Sequence, residues 1–525
     1  MKKIFFSSVV FIILSGIAYY YYNQYLFEKR FHKLLVCDTI EQIDTNASSL
    51  KLLSLFETKA FYTKFCQNST KIAWFNQDLH LQNQSYELLE AIKESYNHGL
   101  NSEKYHLKSL ELEMEKYSKI TQFDSFEEQA KMANRLDILL SDAYLSLFND
   151  SYYGLTDWKK YKKLQYQYAI KEAKKIEEEK RLKLVELNIT DQEVEEERVR
   201  KFEWEKPNKK HLDATEQLIL HLDTNTIYDS LIKLHPDFIE YKRLVELLKN
   251  MRNSSTPQRD KINKIILNLE RFRWITSEYD KSPKSVSINI PAFRLQVLEN
   301  GEETLSMRVI VGKPQRPTPI LESSFSYAIL NPYWTAPETV VRYDMMKKAD
   351  KMVEYLTSHN MKLFIKEKNG KRAINPEDIN WTIYKDAKKI PFVFRAEPGK
   401  DNPLGSVKFT FPNKYSVYMH DTNTKQFFKE DVRAFSSGCV RLEEPVRLLS
   451  YFLGQNEDVN LTLFNKQNNP EHPVSLKASI PIVFRYMTVG VDKNLNLQIY
   501  EDIYGYDDTN IEAIRDNKNI FLGIK

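Results

Sequence analysis

The stretch Ser436-Ser437-Gly438-Cys439-Val440-Arg441 is the part of the sequence from which the rest of the chain can be interpreted. Cys439 is one of three cysteines in 525 residues, and the glycine before it lets a substrate or a backbone approach the thiol closely. Upstream, His420 ends Tyr415–His420, a short run rich in β-forming residues. A cysteine nucleophile needs a base within hydrogen-bonding reach, and histidine is the usual one. The pair therefore indicates Cys–His chemistry, although a lone cysteine is more often a small buried apolar residue.

The flanking residues favour the chemical interpretation. Met419-His420-Asp421, read with Arg433–Arg441, resembles the signature of the L,D-transpeptidase (YkuD) catalytic domain, a histidine followed later by Ser-x-Gly-Cys, an aliphatic residue and Arg or Asn. Most members have a second histidine directly before Gly-Cys, and Ser437 at that position is typical of the large periplasmic branch. The resemblance is strong over residues 260–510 and weaker over residues 55–150.

The resemblance implies an α+β chain in which an all-helical scaffold domain precedes a mainly β catalytic domain. The helical part is expected over residues 30–275, with a Lys/Glu-dense helical segment at 159–210, and the catalytic domain over residues 283–510. Residues 340–400 are expected to form a capping subdomain inserted over the cleft. Relatives often carry a small peptidoglycan-binding module near residue 253, and that module is missing from this sequence.

The resemblance also implies roles for individual residues. Cys439 is expected to be the nucleophile and His420 the general base and then acid, with the backbone carbonyl of Asp421 orienting the ring. The oxyanion is expected on the backbone N–H groups of Gly438 and Cys439, with a further one near Tyr418.

Four more positions are candidates for the cleft. Arg441 is expected to hold the catalytic loop or a substrate carboxylate, and Ser437 belongs to the same loop. Tyr333 and Trp334 resemble a family motif; Trp334 is equally compatible with lining the cleft and with packing in a core. No cofactor and no metal are expected, because the sequence contains no HExxH or equivalent cluster.

The implied reaction is peptidoglycan 3–3 cross-linking, in which diaminopimelate of a donor tetrapeptide stem is joined to diaminopimelate of an acceptor stem in cell wall biogenesis. Three alternatives remain open. Water or a free D-amino acid as acceptor gives an L,D-carboxypeptidase or exchange enzyme. A generic Cys–His peptidase is disfavoured by the signature. A membrane-anchored scaffold of a wall-synthesis complex predicts that Cys439→Ala is tolerated.

The composition and the first residues limit which cellular compartment and which partners are expected. A net charge of +4 on 148 charged residues is nearly balanced, so nucleic acid is not an expected partner. Lys2-Lys3 and an apolar run through Ala18 indicate a signal peptide or, slightly favoured, an uncleaved inner-membrane anchor over residues 1–25. The bulk of the chain is then periplasmic, where Cys37 and Cys66 are able to pair. Other wall-synthesis proteins are possible partners; the oligomeric state is left open.

Overall fold

The computed structural model describes two regions of different architecture, helical first and mainly β second. It describes residues 52–521 except 53, 69–71, 77, 121, 122, 124, 187–208, 277, 278, 280, 281, 368, 369, 386, 388, 455–469 and 516–519. The expected α+β class is confirmed. The predicted anchor at residues 1–25 lies outside the described residues, and within the described ones no helix is long and apolar enough to cross a bilayer.

The N-terminal region is a bundle of helices around one apolar core. Leu136, Leu140 and Ala143 recur at three- and four-residue spacing along its central helix and are all buried, as an amphipathic stripe requires. The helices are α1 (Leu55–Asn68), α2 (Asn83–Ser95), α3 (Leu107–Lys119), α4 (Phe126–Tyr153), α5 (Trp158–Glu186), α6 (Ala214–Thr224), α7 (Ile227–Ile232), α8 (Ile239–Arg252) and α9 (Arg259–Phe272).

Two sequence features of this region can be located. Helix α5 covers the start of the charged segment predicted at 159–210, and residues 187–208 lie outside the described part. Helix α8 leads into α9 through a short connection, with no further module between them, as the sequence indicates. Cys66 in α1 is disulfide-bonded; Cys37, with which the sequence leaves a pairing open, lies outside the described residues.

The C-terminal region is built on a nine-stranded mixed sheet in the order β11-β3-β12-β10-β9-β4-β13-β1-β2, with β2 also paired to β3. Apolar residues alternate along β1, where Val286 and Ile288 belong to the core of the sheet. The strands of this sheet are β1 (Lys284–Asn289), β2 (Arg294–Glu299), β3 (Glu302–Gly312), β4 (Leu321–Leu330), β9 (Val407–Phe409), β10 (Met419–His420), β11 (Ala434–Ser436), β12 (Val440–Leu442) and β13 (His472–Arg485). Helix α11 (Pro445–Leu453) packs on it, and β14 (Val489–Val491) and β15 (Leu497–Ile499) form a separate hairpin.

A smaller unit with its own core is inserted between β4 and β9. It has a four-stranded sheet in the order β5-β8-β6-β7, and its core residues include Met345, Leu363 and Phe394. Its strands are β5 (Trp334–Thr335), β6 (Met361–Glu367), β7 (Gly370–Ile374) and β8 (Phe392–Ala396), and its last helix is α10 (Met352–Ser358). The unit coincides with the region predicted as a capping subdomain and begins a few residues earlier, at Trp334.

The inserted unit begins with irregular helical turns: a π-helical turn (Val341–Met345) and a 3-10 segment (Met346–Lys351) precede α10. One local prediction is wrong. Tyr415–His420 was expected to be a strand, but only β10 is extended. The Asn413 side chain accepts hydrogen bonds from the backbone N–H groups of Tyr415 and Val417 at 3.1 and 3.0 Å, which forms a turn instead.

Helix α12 (Tyr506–Ala513) returns from the β region to the helical one. It packs against α5, and an isolated bridge pairs Thr156 with Ile514. The Asn510 side-chain amide donates to Thr156 Oγ1 at 3.1 Å, and Arg271 of α9 forms an ion pair with Asp507 at 2.7 Å. This C-terminal clasp joins the two regions through buried polar contacts.

Candidate active site

The candidate site lies where β10 and β12 run side by side in the large sheet. They pair in parallel with Met419 opposite Val440 and His420 opposite Arg441, and the Val440 N–H donates to the Tyr418 carbonyl at 3.1 Å. Cys439 directly precedes β12 and Tyr418 directly precedes β10. Because side chains alternate along a strand, Tyr418 and His420 share one face of the sheet with Cys439 and Arg441.

The Cys439 thiol is partly exposed and is not part of a disulfide. The Cys439 sulfur and the Trp334 indole both lie near enough to the Tyr418 hydroxyl to act on its pKa. Burial, followed by the sulfur itself, raises the pKa of Tyr418, so the hydroxyl remains a donor. Trp334 thus reaches the site from the inserted unit, which favours the cleft-lining alternative. Tyr333 instead packs against Arg395, whose guanidinium carbon lies 4.2 Å from the centroid of the Tyr333 ring.

His420 is buried and is oriented by one backbone contact. Its Nδ1 lies 2.5 Å from the Asp421 carbonyl oxygen, so the network assigns the hydrogen of the neutral ring to Nδ1 and leaves Nε2 as the acceptor. Burial and the nearby Arg441 charge lower the pKa of His420 to about 3. The ring is therefore neutral at physiological pH.

The Asp421 carboxylate faces away from the histidine. It accepts from the Ser406 N–H at 2.8 Å and from the Thr422 N–H at 2.8 Å, and it pairs with Lys425 at 2.5 Å. This arrangement agrees with the expectation that the Asp421 backbone, and not its side chain, contacts the ring.

The loop before Cys439 is held by its own polar groups. Ser436 Oγ donates to the Cys439 carbonyl at 2.5 Å and accepts from the Gly438 N–H at 3.1 Å. Gly438 has φ +113°, which favours glycine, and its carbonyl accepts from Thr318 Oγ1 at 3.0 Å. The Gly438 N–H is thus engaged within the loop in this structure, and its role at the oxyanion stays a prediction. At Tyr418, the group that lies near the Cys439 sulfur is the side-chain hydroxyl.

Ser437 connects the loop to the inserted unit. Arg316 Nη1 donates to Ser437 Oγ at 3.1 Å, and the same guanidinium holds the Asp344 carboxylate in two hydrogen bonds of 2.6 and 3.1 Å. Asp344 lies in the π-helical turn of the inserted unit. One arginine therefore links the Cys439 loop to the unit above it.

Sequence reasoning missed two side chains, Arg316 and Lys408. Lys408 of β9 lies directly opposite His420, and its Nζ lies 4.2 Å from the Tyr418 ring centroid. In the sequence its only signal is a single lysine between the buried Val407 and Phe409, which marks a strand but no partner. Arg441 lies on the other side of His420 and donates to Thr424 Oγ1 at 3.0 Å. In the part of the chain that the structure describes, no group of three or more His, Cys, Asp or Glu side chains is arranged to hold a metal ion.

Comparisons with known proteins match both regions of the chain. Residues 283–458 match the family model of the L,D-transpeptidase catalytic domain, and residues 57–248 match that of the Scaffold domain. A curated Haemophilus influenzae protein named "Putative L,D-transpeptidase" is 28% identical over 309 residues, which cover 58% of this chain and 60% of that protein. The match therefore spans less than two thirds of that relative.

Solved structures with similarity to the chain are also L,D-transpeptidases. One from Mycobacterium smegmatis is 14% identical with a TM-score of 0.18, covering 39% of this chain and 58% of that one. L,D-transpeptidase 1 from Mycobacterium tuberculosis is 14% identical with a TM-score of 0.17, covering 38% and 60%. The resemblance seen in the sequence is confirmed by the two family models.

Proposed function

We propose that this protein forms 3–3 cross-links in peptidoglycan through a thioester on Cys439. Its catalytic domain belongs to the L,D-transpeptidase family. The observation that carries the proposal is the Cys439 thiol, which lies near the Tyr418 hydroxyl and directly before the strand that pairs with the His420 strand. A neutral His420 with Nδ1 on the Asp421 carbonyl supports it, because Nε2 is then available for proton transfer.

In the first half-reaction, Cys439 Sγ attacks the carbonyl carbon of diaminopimelate, the third residue of a donor tetrapeptide. The sulfur–carbon bond forms and the carbon–nitrogen bond to the terminal D-Ala breaks. Cys439 gives up its thiol proton, and His420 Nε2 relays one proton to the leaving amine. Because protonated His420 is a strong acid in this buried site, it gives that proton up readily.

In the second half-reaction, the side-chain amine of diaminopimelate on an acceptor stem attacks the thioester carbonyl. A carbon–nitrogen bond forms, the carbon–sulfur bond breaks, and His420 Nε2 accepts the proton that the amine loses. The inserted unit, which reaches the site through Trp334 and Asp344, supports this outcome because a cover over the thioester excludes water and lets the amine compete.

The second candidate is an L,D-carboxypeptidase or exchange enzyme, in which water or a free D-amino acid resolves the same thioester. The partly exposed Cys439 favours it, since the sulfur is accessible to small acceptors. Under either activity we propose that the protein works in the periplasm on stem peptides, held at the inner membrane by residues 1–25.

The test is mass spectrometry of muropeptides after incubation of tetrapeptide substrates with purified protein and with its Cys439→Ser variant. Dimers joined through two diaminopimelate residues, formed only by the unmodified protein, would support the proposal. Tripeptides alone would favour the carboxypeptidase. Absence of turnover, together with no acylation of Cys439 by a carbapenem, would contradict both.

A further inference from the structure

Lys408, His420 and Arg441 form a row across three neighbouring strands of the sheet. His420 is opposite Lys408 in the antiparallel pair β9–β10 and opposite Arg441 in the parallel pair β10–β12. Residues directly opposite each other on neighbouring strands have their side chains on the same face. Two positive groups therefore flank one neutral imidazole on the face that carries Cys439.

Lys408 is held toward the sulfur by Tyr418. Its Nζ lies over the Tyr418 ring at 4.2 Å, a cation–π distance, and the hydroxyl of that ring lies near the Cys439 sulfur. A negatively charged Cys439 attracts both Lys408 and Arg441. Across the described residues, neither cation lies within ion-pair distance of a carboxylate, although Glu471 is near enough to act on Lys408.

The same positive groups act on the two partners of the proposed Cys–His pair in opposite ways. They oppose protonation of His420, whose ring is neutral. They favour a negative charge on the sulfur, because an opposite charge nearby stabilises the ionised form. Two neutral titratable groups, Tyr418 and His420 at β10, lie around the sulfur and Lys408. The charged groups there are Lys408 on β9, Arg441 on β12, the Arg316–Asp344 pair reached through Ser437, and Glu471 before β13.

We propose that Lys408, acting with Arg441, keeps the Cys439 sulfur as a thiolate in the resting protein, so that Lys408 is a positioning residue for the nucleophile. This inference rests on the proposed function in taking Cys439 as the nucleophile. The sulfur releases its proton to solvent, and the leaving D-Ala amine takes one proton from water relayed by His420 Nε2. The second half-reaction returns a proton to solvent, so the cycle balances.

The test is the rate of Cys439 alkylation by iodoacetamide as a function of pH, measured on the full chain by mass spectrometry of the Cys439 peptide. Lys408→Met should move the midpoint of the profile upward by about one pH unit, and on its acid side alkylation should slow about tenfold. Lys408→Arg keeps the charge and should stay near the unmodified protein. Lys477→Met removes an exposed lysine from β13 and is the matched control for net charge.

An unchanged midpoint in folded Lys408→Met would overturn the proposal, and so would equal shifts in Lys408→Met and Lys477→Met. A raised KM for the donor with an unchanged alkylation midpoint would also overturn it, because Lys408 would then bind a substrate carboxylate. Circular dichroism checks that each variant is folded. Alkylation needs no peptidoglycan, so a failure to cross-link would count against the proposed function and leave the alkylation result standing.

Discussion

Two clusters of charged groups in this molecule differ in whether their positive side chains have carboxylate partners. At the junction of the two regions, Arg271 pairs with Asp507 at 2.7 Å and Lys264 reaches the other oxygen of the same carboxylate at 2.8 Å. At the candidate site, Lys408 and Arg441 have no carboxylate within ion-pair distance among the residues that the structure describes. The junction is compensated internally, whereas the site retains positive charge.

The difference separates a structural role from a chemical one. A buried charge is tolerated when a partner and hydrogen bonds satisfy it, and removing one partner is then costly. Glu270 illustrates this at the junction: its carboxylate accepts from the backbone N–H groups of Leu155 and Thr156 at 2.8 and 3.0 Å, and it pairs with Arg273 at 3.3 Å. Positive groups left uncompensated in a cleft are instead typical of sites where negative charge arrives or develops.

The largest effect that the comparison predicts is on stability at the junction. Burial opposes the charge of Asp507, but Arg271 and Lys264 hold the pKa of its carboxyl below the usual value. Asp507→Asn should therefore lower the free energy of unfolding by about 3–5 kcal/mol, because it leaves Arg271 buried without its anion. Urea unfolding measures this. Asp508→Asn, at the exposed neighbouring position, is the control, and an equal loss in both variants would contradict the interpretation.

A smaller effect is expected from histidines that lack an acidic partner in the helical region. The His98 and His235 rings stack with centroids 3.7 Å apart. Burial lowers the pKa of His98 to about 3 and holds that of His235 well below its usual value. Both rings are neutral in the folded protein, but in the unfolded protein they take up protons below about pH 6.5. Their contribution to the free energy of unfolding is therefore complete above that pH and is lost as the pH falls toward 3.

At pH 5 the loss should amount to about 2 kcal/mol for the pair, after allowing for the partial exposure of both rings. Urea unfolding at pH 7 and pH 5 measures it, and His235→Gln should reduce the difference between the two. His80→Gln, at an exposed position, should leave the difference as it is. If His235→Gln keeps the full pH dependence, other groups are responsible.

The smallest predicted effect concerns the link between the Cys439 loop and the inserted unit. Asp344→Asn removes the charge that Arg316 holds while it also donates to Ser437 Oγ. Turnover should fall about tenfold, equivalent to about 1.4 kcal/mol, because the loop loses a fixed support. Stability should change by less than about 1 kcal/mol, since Asp344 is 43% exposed.

The control for this last change is Asp350→Asn, at an exposed position in the same run of helical turns. Steady-state kinetics on the tetrapeptide substrate gives the rates. If Asp344→Asn turns over at the rate of Asp350→Asn, then the Arg316 link does not support the loop.

The sequence was sufficient for the fold class and for the catalytic-domain motif, because a motif and helical periodicity are local properties. It was not sufficient for the Asn413 turn, where one side chain satisfies several backbone groups at the expense of the strand. Nor did it reveal Lys408 or Arg316. Both reach the site only in the tertiary structure, and their distance in sequence from Cys439 does not predict which segments become neighbours.

The C-terminal clasp has a thermodynamic consequence. Since α12 packs on α5, and Asn510 and Asp507 bond to residues of the helical region, neither region can open without breaking contacts of the other. The two regions should therefore melt in a single calorimetric transition. By linkage, a molecule that acylates Cys439 and binds only the folded state should raise the melting temperature of the distant helices as much as that of the sheet.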